Sequence, residues 1–363
     1  MGFLAGQPVY AGYCHGQDRR DDPRKAADQR RYGLGGCLTL SLWLWLALSG
    51  AVFAEKLRVA FWNADLSRDG PGLLLRDLGK ADDPQLDAAV AGVLQVRADV
   101  LVLAGVDFDL ELRALNGFAE RLAQHGLGFP YRFAFAPNAG LPTGLDMDNN
   151  GRLAEPRDAQ GYGRFAGQGG MAILSRLPLD GGQDFSDFLW KDLPGAILPP
   201  DMTAEQMAVQ RLASVGHWNV ALRLPDGNAL NLLVWAATPP VFDGPEDRNG
   251  RRNHDEAAFW AQYLAGALPF VPPDGSFILV GQSNLDPERG DGRRQAIKGL
   301  LTNPLLQNPL GAPTADYGGT LGALRVDVIL PSADLRLLDS GTLWPPDAKA
   351  SRHALIWVDV ALP

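Results

Sequence analysis

A short polar segment after an apolar run offers side chains that suit acid–base chemistry or phosphate binding. The segment 281–284 reads Gly-Gln-Ser-Asn and directly follows the run 277–280, Phe-Ile-Leu-Val. Gln282 has nearly the shape of an acidic residue, but its amide takes no proton at neutral pH and cannot serve as a general base. Asn284 keeps an amide that can polarise an oxygen of a ligand. Whether this segment supports catalysis therefore depends on the rest of the site.

Other polar residues follow or precede apolar runs in the same manner. Asn63 follows the run 57–61, and Ser351-Arg352-His353 stands just before the run 355–360. Polar groups that gather at the ends of strands are typical of a site at the mouth of a β-sandwich. The sequence therefore predicts one site built from several distant segments.

The elements that must position these residues are read from hydrophobic patterning. The predicted strands are Leu57–Phe61, Val100–Leu103, Arg132–Phe135, Met171–Leu174, Val220–Leu222, Leu230–Trp235, Phe277–Val280, Val326–Leu330 and Leu355–Val360. The predicted helices are Pro84–Val96, Leu110–His125, Asp255–Ala267 and Arg294–Leu301. Many strands with few helices predict two packed sheets covered on the outside by helices.

The N-terminal part differs in kind from the remainder. Arg30-Arg31 precede an uncharged run from Leu34 to Ala54 that ends in small residues. This pattern is typical of a secretory signal cut after Ala54, and the alternative is an uncleaved membrane anchor. We expect residues 1–54 to be an N-terminal extension with this signal and residues 55–363 to form one domain that is exported, periplasmic or extracellular.

Charge and cysteine content restrict the function further. The chain carries a net charge of −9 at pH 7, which argues against a protein that grips nucleic acid nonspecifically through its phosphates. Cys14 and Cys37 both precede the predicted cleavage site, so the exported domain would contain neither a disulfide nor a thiolate metal site.

Two longer segments resemble a known family. Residues 161–171 read GYGRFAGQGGM, and residues 238–256 read TPPVFDGPEDRNGRRNHDE. With the strand-end residues, they make the chain similar to the endonuclease/exonuclease/phosphatase (DNase I-like) family, in an exported bacterial branch, over residues 57–361. The resemblance implies an α/β (α+β) fold, a four-layered sandwich of two packed mixed β-sheets flanked by helices. It also implies a phosphodiesterase or phosphatase that depends on Mg²⁺.

The resemblance also assigns roles to single residues. Asn63, a metal ligand in active members, Asn284 and His353 match the family, and Asp327 matches an aspartate that supports the histidine. Four other positions differ, because a glutamate, a histidine and two aspartates are replaced by Gly105, Ala236, Gln282 and Arg352. The losses remove the anionic metal ligand, the base and the anion that precedes the histidine.

Three hypotheses follow from this pattern. The first is an exported pseudoenzyme that binds a phosphate-containing ligand or a protein partner, with nucleic acid an unlikely partner and a membrane involved only if the signal stays uncleaved. The second is an active hydrolase with a shifted metal site built from Asn63, Asp65, Asp107 or Asp109 together with His353. The third is a purely structural exported protein.

A separate acidic segment resembles the start of a calcium loop. Asp146, Asp148 and Asn150 stand at alternate positions before Gly151, but the twelfth position is Arg157 and not glutamate. The alternatives are a Ca²⁺ site and a polar insertion loop.

Two further regions have both a structural and a binding interpretation. The segment 243–256, with Asp243, Arg252 and His254, is either a salt-bridged loop that caps a helix starting near Asp255 or part of a substrate-binding rim. His217, before Trp218, is either a packed core residue or another binding residue.

Overall fold

Two β-sheets pack face to face in the computed structural model, which describes residues 56–362. The strands of this part of the chain are β1 (Lys56–Asn63), β2 (Val100–Val106), β3 (Tyr131–Phe133), β4 (Gly170–Ser175), β5 (Leu179–Asp184), β6 (Gly216–Arg223), β7 (Ala229–Ala236), β8 (Phe277–Gln282), β9 (Ala315–Asp316), β10 (Ala323–Leu324), β11 (Asp327–Pro331), β12 (Leu337–Leu343) and β13 (Leu355–Ala361). The α-helices are α1 (Leu73–Leu78), α2 (Pro84–Val96), α3 (Arg113–Gln124), α4 (Ala204–Val209), α5 (Arg248–Leu264) and α6 (Gln295–Leu301).

Both large sheets mix parallel and antiparallel pairs. The first has the order β12-β13-β1-β2-β4-β3, and the second has the order β11-β8-β7-β6-β5. In the first sheet β1 and β2 are parallel, and in the second β7 and β8 are parallel. The predicted α/β class, with two mixed sheets flanked by helices, is confirmed.

The central strands are apolar on both faces because each sheet is covered on both sides. In β1, Val59 and Phe61 lie in the core between the sheets, whereas Ala60 and Trp62 face the core under α2 and α3. The second sheet is covered by α5 and α6, where Trp260 is fully buried. Alternate residues of one strand thus enter different cores, which explains the continuous apolar runs.

The predicted elements differ from the observed ones where patterning is weak. The predicted helix Pro84–Val96 matches α2, whose N-terminus is capped by the side chain of Asp83. Helix α5 begins at Arg248, seven residues before the predicted start at Asp255, because a polar sequence there is buried by the surrounding loops. Strands β5 and β12 were missed; both lie at sheet edges, and their residues are mostly exposed or half-buried, without apolar alternation.

The predicted signal and its cleavage site lie outside the described residues. Within residues 56–362, none of the helices combines the length and the apolar character needed to cross a membrane.

Candidate functional site

The ends of several strands bring many of the sequence-predicted residues together at one end of the two sheets. We call this place the strand edge; it includes Asn63, Gly105, Ala236, Gln282, Asn284, Asp327 and His353. Asn63 ends β1, and Gly105 lies near the end of the parallel strand β2. In the other sheet, Ala236 at the end of β7 pairs with Gln282 at the end of β8, and Asp327 of β11 pairs with Gln282 from the other side. Because parallel strands end at the same edge, positions that are far apart in sequence become neighbours.

Three amide side chains form a hydrogen-bonded series across this edge, which we call the amide chain (Asn63, Gln282 and Asn284). Nδ2 of Asn63 donates to Oε1 of Gln282 over 3.0 Å, which joins the two sheets. Nε2 of Gln282 donates to Oδ1 of Asn284 over 2.7 Å. Nδ2 of Asn284 in turn donates to the carbonyl oxygen of Ala237 over 2.7 Å. Both polar atoms of Gln282 are therefore bonded to other amides, and the amide chain is uncharged.

Gly105 lies where a side chain would collide with the amide chain. Its φ of 67° is in the left-handed region, and the pairing of β2 with β4 is irregular at this point. A Cβ atom built on Gly105 would lie 2.4 Å from Oδ1 of Asn63. That oxygen accepts the N–H of Asp65 over 3.0 Å. The Asn63 side chain thus fills the space that a longer residue at position 105 would enter.

His353 and Asp327 form a buried pair, which we call the dyad. Nδ1 of His353 lies 2.8 Å from Oδ2 of Asp327, and their side chains are 4% and 0% exposed. The backbone around His353 is fixed as well, because Nε1 of Trp62 donates to its carbonyl oxygen and its N–H donates to Oγ of Ser351. A carboxylate on Nδ1 orients the ring and leaves Nε2 as the atom that can meet a ligand.

Arg352 lies away from the ring of its neighbour His353. Its side chain is exposed, and its guanidinium carbon lies 5.9 Å from the centroid of the Tyr317 ring. The Tyr317 ring stands edge-on to the His353 ring, with centroids 6.2 Å apart. Burial raises the pKa of Tyr317 to about 12, and the negative charge of Asp327 contributes a smaller part of this increase. The sequence interpretation that a cation stands where an anion should hold the imidazole is therefore corrected: Asp327 holds the ring, and Arg352 adds a positive charge at the rim.

The residues at the strand edge do not fit a hard divalent cation. Such a cation requires ionised oxygen ligands. The amide chain is neutral, Gly105 has no side chain, and the Asp327 carboxylate is directed toward His353. Asn63, predicted as a metal ligand, has both amide atoms engaged, one with Gln282 and one with the N–H of Asp65.

The acids proposed for a shifted metal site have structural roles of their own. Asp107 is buried and accepts bonds from Oγ of Ser67 and from the backbone N–H groups of Arg68 and Gly169. Asp109 accepts the N–H groups of Arg113 and Ala114, so it caps the start of α3. Asp65 is exposed. These contacts favour no shifted metal site around His353.

Helix α5 carries buried polar side chains, which we call the α5 clasp (Arg252, Asn253, Asp255 and Glu256). Arg252 is only 7% exposed. Its guanidinium donates to four backbone carbonyl oxygens, those of Gln160, Arg211, Leu212 and Ala213. Burial lowers the pKa of Arg252 to about 10. Through Nε and Nη2, Arg252 therefore fastens a loop to the helix.

The α5 clasp also fixes the loops that carry the amide chain. Nδ2 of Asn253 donates to the carbonyl oxygens of Thr238, after β7, and Ser283, after β8, over 2.7 and 2.8 Å. Glu256 accepts hydrogen bonds from Oγ and N–H of Ser214 and from the N–H of Thr238. Burial raises the pKa of Glu256 to about 7, against the opposing effect of Arg252. The clasp thus holds the loops after β7 and β8 in place through hydrogen bonds to Thr238 and Ser283.

The other predicted binding residues also lie in structural surroundings. His217 is 1% exposed and packs against Phe259 with ring centroids 4.8 Å apart; burial lowers its pKa to about 3. Nδ1 of His254 lies 2.8 Å from Oδ1 of Asp255. Asp243 accepts the N–H of Asn249 near the start of α5. None of these contacts is with the amide chain or the dyad, and the structural interpretation of this region is favoured.

The acidic segment of the predicted calcium loop gathers three carboxylates. Oxygens of Asp146, Asp148 and Asp158 all lie within 4.8 Å of one another, and this group, which we call the acidic triad, could bind a metal ion. Oδ1 of Asp148 is buried and has no hydrogen-bond partner. Asn150, predicted as a ligand, instead donates from Nδ2 to Oε2 of Glu155. Asp158 replaces it in the group and was missed because it lies outside the loop pattern.

Two other residues were missed by the sequence interpretation. Asn253 lies within the family segment 238–256, but only the structure shows that its amide joins the loops after β7 and β8. Tyr317 precedes two glycines and gives no signal of its position beside His353.

Comparison with known proteins identifies relatives of this fold. The model of the Endonuclease/Exonuclease/phosphatase family matches residues 60–353. An endonuclease/exonuclease/phosphatase from Beutenbergia cavernae DSM 12333 is 18% identical with a TM-score of 0.52, over 85% of this chain and 72% of that chain. Sphingomyelinase C from Streptomyces griseocarneus is 16% identical with a TM-score of 0.49, over 85% of this chain and 100% of that chain. No curated protein matches the sequence. At these identities, the first structure supports the fold alone.

Proposed function

This chain belongs to the endonuclease/exonuclease/phosphatase family, and from that premise we propose that it is a binding protein with impaired hydrolysis. Its ligand contains a phosphate group and binds at the edge formed by the amide chain and the dyad. One observation carries the proposal. At the position where the family resemblance places a base, the neutral side chain of Gln282 forms hydrogen bonds with the amides of Asn63 and Asn284.

The chemistry lost at this edge explains why hydrolysis is impaired. The family is metal-dependent, but the strand edge offers no ionised oxygen for a metal apart from the Asp327 carboxylate, which is directed toward His353. Gln282 cannot accept a proton from water. Removing one positioned catalytic group costs about 10²–10⁴ in rate, and losses within one site are not additive. The combination leaves little of the metal-dependent mechanism.

The remaining groups favour an anionic ligand over a metal ion. His353 stays oriented by Asp327 and presents Nε2, and Arg352 adds a positive charge beside Tyr317. The replacement of the family's acids by Gly105, Gln282 and Arg352 makes this edge less negative. A phosphate group could then be held by direct hydrogen bonds, without a metal bridge.

Any divalent-cation binding is proposed at the acidic triad, with Ca²⁺ as the suited ion. The three close carboxylates support this place over the strand edge, because a buried, unpartnered Oδ1 occurs at both places, in Asp148 and in Asp327, and does not distinguish them. A rise in melting temperature with Ca²⁺ that is lost in Asp148→Asn would agree with it. The same rise in Asp148→Asn as in the wild type would contradict it.

The cellular location is part of the proposal. The uncharged run that ends at Ala54 supports export to the periplasm or beyond, and the net charge of −9 makes nucleic acid an unattractive ligand. Secretion of a full-length fusion to a reporter that is active only outside the cytoplasm would test export. A reporter that stays silent would overturn it.

The test of impaired hydrolysis uses bis-p-nitrophenyl phosphate with Mg²⁺, Mn²⁺ or Ca²⁺. We expect no turnover by the wild type above the rate without protein. Metal-dependent turnover by the wild type that disappears in His353→Ala would overturn the proposal.

A further inference from the structure

A cavity of about 530 Å³ is lined by residues of the same two segments that carry Asn284 and Asp327. The loop after β8, helix α6 and the segment before β11 form its walls. Two of its lining residues, Asp286 and Arg325, are each two positions from a residue of the strand edge. The two segments are joined by a hydrogen bond from the N–H of Asn284 to the carbonyl oxygen of Val326 over 3.0 Å.

Positively charged side chains outnumber negatively charged ones in the lining of this cavity. Three cations, Arg289, Lys298 and Arg325, line it together with two acids, Asp286 and Glu288. The Asp286 carboxylate is saturated by backbone N–H groups: Oδ1 accepts those of residues 288 and 289, and Oδ2 accepts that of residue 325. Glu288 pairs with Lys298 over 3.1 Å, but both side chains are largely exposed, so this pair opens at little cost.

Arg325 is the least satisfied of the three cations. One of its terminal nitrogens, Nη2, donates to Oδ1 of Asn308. Its Nε atom is buried and has no hydrogen-bond partner. Burial also lowers the pKa of Arg325, against the weaker opposing effect of Asp286. A buried guanidinium that lacks acceptors is costly, and a negative charge in the cavity would offset part of that cost.

We propose that this cavity is a second ligand site, which binds a small organic anion through Arg325 and Lys298. The ligand class is an oxyanion, phosphate or carboxylate, that carries a compact apolar group. The apolar group is expected because Leu301, Pro313 and Ala323 also line the cavity and its volume exceeds what a single oxyanion needs. The site is separate from the phosphate-binding edge of the proposed function and does not depend on it.

The test measures binding by calorimetry with three probes: inorganic phosphate, phenyl phosphate and benzoate. We expect phenyl phosphate to bind the wild type more tightly than inorganic phosphate. Arg325→Met and Lys298→Met should each weaken phenyl phosphate binding about tenfold or more, because a hydrogen bond to a charged group is lost. The backbone bond from residue 325 to Asp286 survives the side-chain change, so we expect Arg325→Met to fold.

Two controls separate this cavity from other binding places. Arg336→Met removes an exposed arginine outside the cavity and should leave the affinity unchanged. His353→Ala should remove only a binding event at the strand edge. Loss of phenyl phosphate binding in Arg325→Met but not in His353→Ala assigns the ligand to the cavity. Binding that persists in the Arg325→Met/Lys298→Met double variant, or no binding of any probe by the wild type, would overturn the proposal.

Discussion

The strand edge and the α5 clasp are joined through the loops after β7 and β8, but they differ in the charge of their side chains. At the strand edge, the family resemblance calls for acids, and the structure has a neutral amide chain with the side chain of Gln282 at its centre. The sequence of the clasp is rich in charged residues, as in an exposed loop. In the structure, however, Arg252 is 7% exposed and Glu256 is 0% exposed. The side chains at the centre of the strand edge are thus neutral, whereas charged side chains are buried in the clasp, where they hold the loops in place.

The physical reason lies in the hydrogen bonds that surround each group. Arg252 and Glu256 lie one helical turn apart, and their hydrogen bonds are with backbone groups and the Ser214 side chain. A buried charged group is tolerated only when hydrogen bonds or an opposite charge compensate for the loss of water. At the strand edge, the neighbours of Gln282 are amides, which suit another amide and not an unpaired carboxylate.

Loss of the buried cation in the α5 clasp should have the largest effect. Arg252→Met removes a charged donor from four carbonyl oxygens and takes the nearby cation away from Glu256. We expect the free energy of unfolding to fall by about 3–5 kcal/mol, because several buried hydrogen bonds from a charged group are lost and each is worth about 1.5–3 kcal/mol. Urea denaturation at pH 7 measures this change.

A neighbouring arginine on the same helix provides the matched control. Arg251 is half-buried and donates to the carbonyl oxygens of Glu246 and Leu198 over 2.9 and 3.4 Å. Arg251→Met should cost no more than about 1.5 kcal/mol. Equal losses for the two variants would show that the clasp has no special role.

The second prediction concerns pH and the core histidine behind the clasp. Burial lowers the pKa of His217 to about 3, whereas an unfolded histidine has a pKa of about 6.5. Between these values the unfolded chain binds more protons, so His217 makes the protein less stable as the pH falls from 6.5 toward 3. The slope from this residue approaches about 1.4 kcal/mol per pH unit. His217→Leu should remove that part of the slope in urea denaturation at pH 6, 5 and 4, and an unchanged slope would contradict the burial argument.

The sequence predicted the fold, but it did not predict the hydrogen bonds that join the two sheets. The runs ending at Asn63 and Gln282 are apolar on both faces and were recognised, whereas β5, with two glycines and exposed residues, was not. The role of Asp327 could be predicted from its match to the family. The bridge through Gln282 could not, because a hydrogen bond between two sheets depends on side-chain positions that no local pattern encodes.

The third prediction tests how tightly Gly105 is coupled to the amide chain. Gly105→Ala places a Cβ atom against Oδ1 of Asn63 and also strains a left-handed backbone. We expect a loss of about 2–3 kcal/mol in the wild type, of which left-handed strain accounts for about 1–2 kcal/mol. In an Asn63→Ala background the strain and a 3.2 Å approach to the backbone N of Asp65 should remain. A double-mutant cycle with no coupling between these two positions would show that Asn63 does not limit the space at residue 105.

The smallest effect is expected from the centre of the amide chain itself. Gln282→Met keeps the length of the side chain but removes its bonds to Asn63 and Asn284, which are half-buried and can turn to water. The cost should be about 1 kcal/mol, the net value of an ordinary hydrogen bond, and should not change with pH.

Gln282→Asp should behave differently from Gln282→Met because it introduces a charge. Oδ1 of Asn284 now accepts a bond from Gln282, so an aspartate there would face an oxygen unless Asn284 turned and gave up its bond to Ala237. Position 282 is only 8% exposed, so burial would raise the pKa of the new carboxyl above its unfolded value. The folded protein would then bind the proton more tightly, and stability would fall as the pH rises from 4 to 7. Equal stability of Gln282→Asp and the wild type at both pH values would mean that the strand edge already accommodates an anion, and the contrast with the α5 clasp would fail.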